Sequence, residues 1–403
     1  MLLLASACRQ EVAAAPMVAK GPALQPFQEE LLRLAFRAAS AFPLEPHAKN
    51  RSRAQEVAVV GCFELDAPQL ALEFAHGIAD WRRGSAYADY ACYCARHDGR
   101  EQALDYVKRA ETFVKELARD VSTQEWRRDL IMMKLARACM LLGDQERADA
   151  FAAGIEAAST HAVDDDWART AADRANMVAA EKLGEAIATL DASFQGMSLG
   201  QQNTAIATLV ALHERFFAEA AHRVTIEERL TKTYDKLPPP IRLQALLRLV
   251  STCLAKNDKA SALRLLAVAR DLAAAHTWRP ADQVPQLARL AELRGRAGET
   301  AQARADAEAA LAIYHEERDR IVNIERAETL WPLALTWHTL GEATTADDLL
   351  ALALEEAMEN PNSRPRADDL VDIAVAMARH GCKPSVRLAT RMRQVCEGLG
   401  NPW

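Results

Sequence analysis

Glycine and proline are scarce in this 403-residue chain, 16 of each, and runs of Val, Ile and Thr are nearly absent. Few backbone breakers and few β-branched runs exclude a turn-rich sandwich or barrel and favour helix at almost every position. Basic charge is not in excess either: 49 Lys and Arg face 56 Asp and Glu, for a net charge of −7. That balance excludes a general polyanion binder, so nucleic acid is not an expected partner. No stretch approaches the ~18 uninterrupted apolar residues of a membrane span, so no transmembrane segment is expected. No phosphate-binding loop, dinucleotide fingerprint or H-E-x-x-H string occurs, and no cofactor or metal is expected. The eight cysteines, Cys8, Cys62, Cys92, Cys94, Cys139, Cys253, Cys382 and Cys396, lie mostly in apolar helical runs. There they read as small packing residues, not as the disulfide framework of a short secreted chain.

What is present is alanine, at about one residue in five, and a recurring pattern. "YACYCARHDGREQALDYV", "LARACMLLGDQERADAF", "LVSTCLAKNDKASALRLL", "LAELRGRAGETAQARADA", "LALTWHTLGEATTADDLL" and "IAVAMARHGCKPSVRLAT" share one design, and "VAVVGCFELDAPQLALEF" is an earlier, weaker copy. Apolar residues at helical spacing lead into a short polar turn and then into a second apolar helix. Small residues stand in the second helices at Ala71, Ala103, Ala148, Ala262, Ala303 and Ala346. Twelve positions before each is another apolar, usually small, residue: Val59, Ala91, Ala136, Val250, Ala291 and Ala334. Such pairs let two helices approach closely, and Ala110, Ala269, Ala310 and Ala353, seven positions further on, offer the same contact to the next hairpin.

This pattern resembles the tetratricopeptide repeat family over residues 50–395, best at 85–155 and 240–356 and poorest at 156–238. The spacing of around forty residues fits its longer-helix relatives. The resemblance implies an all-α protein, a right-handed α-solenoid of about nine stacked antiparallel hairpins. Residues 25–42 are expected to cap the first hairpin and "RLATRMRQVCEGLG" the last. "KLPPPIR" at 236–242 is the best candidate for a bend, which divides the chain into an N-terminal segment at 1–24 and two sub-arrays at 25–236 and 237–403. The first segment opens with "MLLLASAC", which resembles the end of a bacterial lipoprotein signal with Cys8 as the lipidated residue. That reading favours the bacterial cell envelope over the cytoplasm, with attachment by a lipid anchor.

Three strings invite chemistry. "GMSLG" at 196–200 matches a nucleophile elbow, which would make Ser198 the nucleophile of a serine hydrolase, but the motif needs a preceding strand and none is legible. Gly196 and Ser198 read more simply as a helix end and a helix start. Glu73 with His76, and Glu219 with His222, have the spacing of carboxylate-bridged metal sites, yet lie on segments that an open array keeps apart. Cys92 and Cys94 point about 200° apart on a helix, which opposes a shared zinc ion with His97. The recurring Trp81, Trp126 and Trp278 read as packing between hairpins.

What remains is surface. The family resemblance implies that first helices line a concave groove, with Arg96, Lys134, Arg137, Arg248, Arg289, Arg296, His338 and Arg379 on its wall and Asp89, Glu292 and Asp372 among them. A groove so lined would hold an acidic or C-terminal segment of a partner protein. The expected function is therefore a non-enzymatic scaffold that docks a protein or peptide, with a small-ligand sensor as the alternative and an enzyme third.

Overall fold

The computed structural model describes residues 24–119, 125–155, 164–193, 199–233 and 237–403. Cys8 lies outside the described residues, as do Gly196 and Ser198 of the elbow-like string. The described residues are all-α, with no strand among them. The helices are α1 (Pro26–Ala41), α2 (Leu44–Glu64), α3 (Pro68–His76), α4 (Arg82–Arg96), α5 (Arg100–Arg119), α6 (Glu125–Leu141), α7 (Gln145–Ala153), α8 (Asp164–Ala175), α9 (Leu183–Ser193) and α10 (Leu199–Arg215). They continue with α11 (Ala220–Glu228), α12 (Pro239–Ala255), α13 (Lys259–Ala274), α14 (Pro280–Ala297), α15 (Thr300–Glu317), α16 (Asn323–Thr339), α17 (Ala343–Met358), α18 (Ser363–Arg379) and α19 (Val386–Glu397).

The recurring turns are one device used seven times. Asp66, Asp98, Gly143, Asn257, Gly298, Gly341 and Gly381 all have positive φ, at the ends of α2, α4, α6, α12, α14, α16 and α18. Just beyond each, a backbone N–H reaches back to a carbonyl five residues earlier, as in Asp144 to Cys139 at 2.9 Å and Glu342 to Trp337 at 2.9 Å. This bond pattern satisfies helix-end carbonyls and turns the chain sharply into the next helix. Asp144 and Asp258 then cap that helix by accepting from the N–H of Arg147 and Ser261. All sixteen small or apolar positions singled out in the repeats are buried.

Hairpins α2/α3, α4/α5, α6/α7, α12/α13, α14/α15 and α16/α17 stack as an all-α solenoid, and α8 pairs with α10 around the inserted α9. Successive first helices pack directly on one another, whereas most second helices pack on their own partner and on the following first helix. Second helices therefore occupy the wider circumference and first helices the inner wall.

The ends depart from the expected caps. The main partner of α1 is α18, at the far end of the chain, and α18 also touches α2. Gln28 donates to the Ala378 carbonyl at 2.8 Å, Arg53 pairs with Asp368 at 3.1 Å and Arg379 with Glu64 at 2.9 Å. The α2 backbone comes so close at Gly61 that a Cβ there would stand 2.7 Å from Val375 Cγ1 and 3.4 Å from Leu32 Cδ2. The array thus closes on itself: first helices α2, α4, α6, α8, α10, α12, α14, α16 and α18 form a circuit in which each touches the next and α18 returns to α2. The physical reason is an unfilled partner position. Helix α19 has 12 residues and packs against α17, α18 and α1, so α18 keeps an apolar flank, which α1 covers with Leu31, Leu32, Leu34, Ala35, Ala38 and Ala39.

One apolar core accordingly runs from α14 through α19 and on, across the two ends, into α1–α7. A second covers α8–α13 and the adjoining face of α14. Leu230, Leu237 and Leu243 belong to this second core, and Pro238 immediately precedes α12. Polar contacts join α6 to α8, through Arg137 with Asp173 at 2.6 Å and Thr170 with Met133 at 3.6 Å.

Candidate docking face

The residues that the family resemblance assigned to a groove lie on first helices, where most of them tie one first helix to another. Lys134, 3 % exposed, donates to Asp89 Oδ2 at 2.6 Å and to Ser85 Oγ at 2.7 Å, with Glu56 at 3.7 Å. Arg137 and Arg96 share Asp173 Oδ2 at 2.6 and 2.7 Å. Arg289 bonds Glu292 at 2.5 Å and Ser251 at 3.0 Å, and Arg296 stands 3.7 Å from the other oxygen of Glu292. Arg379 is half-exposed and paired with Glu64. Burial holds His338 below the usual imidazole range, and His380 adds to the effect. Arg248 is exposed and has no ion pair among the described residues. Cations and carboxylates therefore alternate around the wall and neutralise one another, so position alone does not make the face basic.

The other motifs are accounted for locally. Glu73 pairs with Arg33 of α1 at 2.7 Å, and His222 stands 2.7 Å from Glu219. Cys92 donates to the Lys134 carbonyl at 3.4 Å, Cys94 bonds to Tyr90, and His97 stacks on Tyr93, so these three do not converge. Trp81 meets Trp126 edge-on at 5.3 Å between hairpins, and Trp278 donates to the Ala273 carbonyl at 2.8 Å.

A group that sequence reasoning missed is His213, Glu227 and Cys253, on α10, α11 and α12. Their ligand atoms lie within 4.8 Å of one another, and all three residues are buried. Glu227 also bonds Arg264, with Arg223 at 4.0 Å, and burial, with Glu227 beside it, pushes the Cys253 thiol up to about 12. Two guanidinium groups beside the carboxylate and a neutral thiol oppose a cation there.

The recesses lie elsewhere, at the N-terminal halves of three parallel first helices. Between α16 and α18, a recess of about 390 Å³ is lined by Ile324, Glu328, Asn362, Arg364, Pro365, Asp368, Asp369, Asp372 and Trp403. Beside it, sharing Glu328, a recess of about 340 Å³ between α14 and α16 includes Asp282, Pro285, Glu325 and Trp331. Acids in a first helical turn are explained by the helix dipole, which covers Asp282 and Glu325, but Asp369 and Asp372 lie beyond that turn. Asp369 is 8 % exposed, and its Oδ2 is buried without a hydrogen-bond partner.

Burial, reinforced by Asp372, Asp368 and Glu328, pushes Asp369 up to about 8. Burial, then Asp368 and Glu328, pushes Asp372 up to about 7, with Arg53 opposing. Both pKa values are raised above that of an unfolded Asp, so the folded state binds these protons more tightly. Its stability from them is complete below about pH 4 and is lost as the pH rises through 7 and 8. Asp369→Asn is therefore expected to raise the Tm near pH 8.5 and to change it least below about pH 4, which thermal unfolding at about pH 8.5 and about pH 3.5 checks. The sequence signal was "RADDLVD", where acids occupy positions facing the neighbouring first helix. Of its three carboxylates, only Asp372 is picked out by the family register.

No protein-family model and no curated protein matches the chain. Among solved structures, Ton1535 from Thermococcus onnurineus NA1 aligns at 16 % identity, covering 87 % of this chain and 99 % of that one, with a TM-score of 0.23. A circular tandem repeat protein with novel repeat topology aligns at 14 % identity, covering 92 % of this chain and 94 % of that one, with a TM-score of 0.18. At these TM-scores neither likeness carries an argument. The helical-repeat class rests on the stacked hairpins themselves.

Proposed function

We propose that this protein is a non-enzymatic docking scaffold, of the tetratricopeptide-like kind, whose inner wall of first helices holds a segment of a partner protein. The observation that carries the reading is the pair of adjoining recesses at the N-terminal halves of α14, α16 and α18, on a wall built of charged residues in fixed positions. Their tryptophans, Trp331 and Trp403, supply the amphipathic contact area that docking sites favour. A lipid anchor at Cys8 would place such a scaffold at the bacterial envelope.

The reading is tested by photo-cross-linking in cells of the source. A cross-linker placed at Arg248, Glu328 or Trp331 is expected to capture one defined protein, and one at the outward-facing Glu308 or Glu355 is not. Capture should weaken as salt rises, because charge recognition is screened. Equal capture from both faces, or none from the inner positions, would overturn the reading. Comparing Arg248→Ala with Asp372→Asn then gives the sign of the docked segment, since an acidic segment is weakened by the first and a basic one by the second.

A further inference from the structure

We propose that the recess between α16 and α18 is a binding site for an organic cation, an alkylammonium or guanidinium head seated among Asp368, Asp369 and Asp372 with its carbon stem against Ile324, Pro365 and Trp403. Five observations carry this.

Three carboxylates on one helix and Glu328 on the next share a recess with only Arg364 as a lining cation, while Arg53 reaches Asp368 from α2 at 3.1 Å. Asp369 has neither: its Oδ2 is buried with no donor, which is costly unless a ligand supplies one. The space, about 390 Å³, suits a small organic group. The spacing argues against a single metal ion. A divalent cation holds its oxygens at about 2.0–2.6 Å and draws them close together. Yet among the described residues only His213, Glu227 and Cys253 bring three ligand atoms within 4.8 Å of one another. A guanidinium or a diamine spans the wider gap and offers several donors at once. The apolar side of the recess, Ile324, Pro365 and Trp403, suits an alkyl stem.

The same head group can arrive as a free amine or as a basic side chain of a docked segment. The second source rests on the docking reading above, and the first does not.

The test is calorimetric titration of the full chain with arginine amide, spermidine, calcium chloride, the uncharged analogue Nα-acetylcitrulline amide, and a short peptide containing one arginine. Arginine amide or spermidine is expected to bind saturably with one site, at least about tenfold more tightly near pH 8.5 than near pH 6.5, because protons on the carboxylates compete with the ligand. Heats should vary with the buffer as those protons are released. Asp369→Asn and Asp372→Asn, which remove repulsion and so preserve the fold, should each weaken binding about tenfold, as a charge-assisted bond is worth that much. Asp282→Asn, in the neighbouring recess, should not. Binding of the peptide at least tenfold above arginine amide assigns the site to a segment, and equal binding assigns it to a free cation. Both outcomes support the cation site. It is overturned if no cation saturates, if Nα-acetylcitrulline amide binds as well, if calcium alone binds there, or if both Asn variants bind like the parent. Failure here leaves inner-face cross-linking intact, whereas failure of the cross-linking leaves the free-cation arm intact.

Discussion

Leu32→Ala is expected to lower stability by about 2–5 kcal/mol, the usual cost of a cavity at a fully buried leucine, and to loosen both ends of the chain together. Leu32 is 0 % exposed and sits on α1 beside the Gly61–Val375 contact, where α1, α2 and α18 meet. In an open array, a defect in the first helix would be felt only by its neighbours in sequence, since each repeat contacts only the next. In a closed circuit, α18 depends on α1 for its apolar flank. Hydrogen exchange should therefore show protection lost in α18 as well as in α2. Loss confined to α1 and α2 would mean that the circuit is not closed in solution.

The second large effect concerns Lys134. Lys134→Ala is expected to cost about 3–5 kcal/mol, because it leaves the Asp89 carboxylate, 11 % exposed, without its cation, whereas Glu56 keeps Arg82 at 3.0 Å. Adding Asp89→Leu should recover much of that loss, since the penalty belongs to the unpaired charge and not to the missing bond. Arg248→Ala, at an exposed position without an ion pair, should change stability by less than about 0.5 kcal/mol. Denaturant melts of the three variants check this. If Lys134→Ala were as mild as Arg248→Ala, Lys134 would be a surface group of the groove and not a tie between α4 and α6.

The two residues show how far a repeat register reaches. The family resemblance implied a groove position for both, yet Lys134 of α6 is enclosed and paired while Arg248 of α12 faces solvent. Spacing fixes which side of a helix a residue occupies. It does not say how near the next helix comes, and that distance decides whether a lysine finds water or Asp89. Turns were legible for the opposite reason. A positive-φ residue, a helix-end bond and a capping acid are satisfied within about six residues, so "LLGDQERADAF" carries its own geometry. The acid recess lies between these cases. Asp369 and Asp372 are plain in "RADDLVD", but their want of partners depends on α16 lying alongside, bringing Glu328 and no compensating cation.

By itself, the sequence determined the hairpin, its seven sharp turns and the small residues that let neighbours stack, because each depends on local dihedrals and on side-chain volume at close contacts. Only the tertiary structure decided that the stack returns to its own beginning, that α1 completes the hairpin of α18, and that three carboxylates line one recess between α16 and α18. Closure is the sum of the small rotation and rise at every step of the array, and a sum over so many interfaces is not written at any one of them.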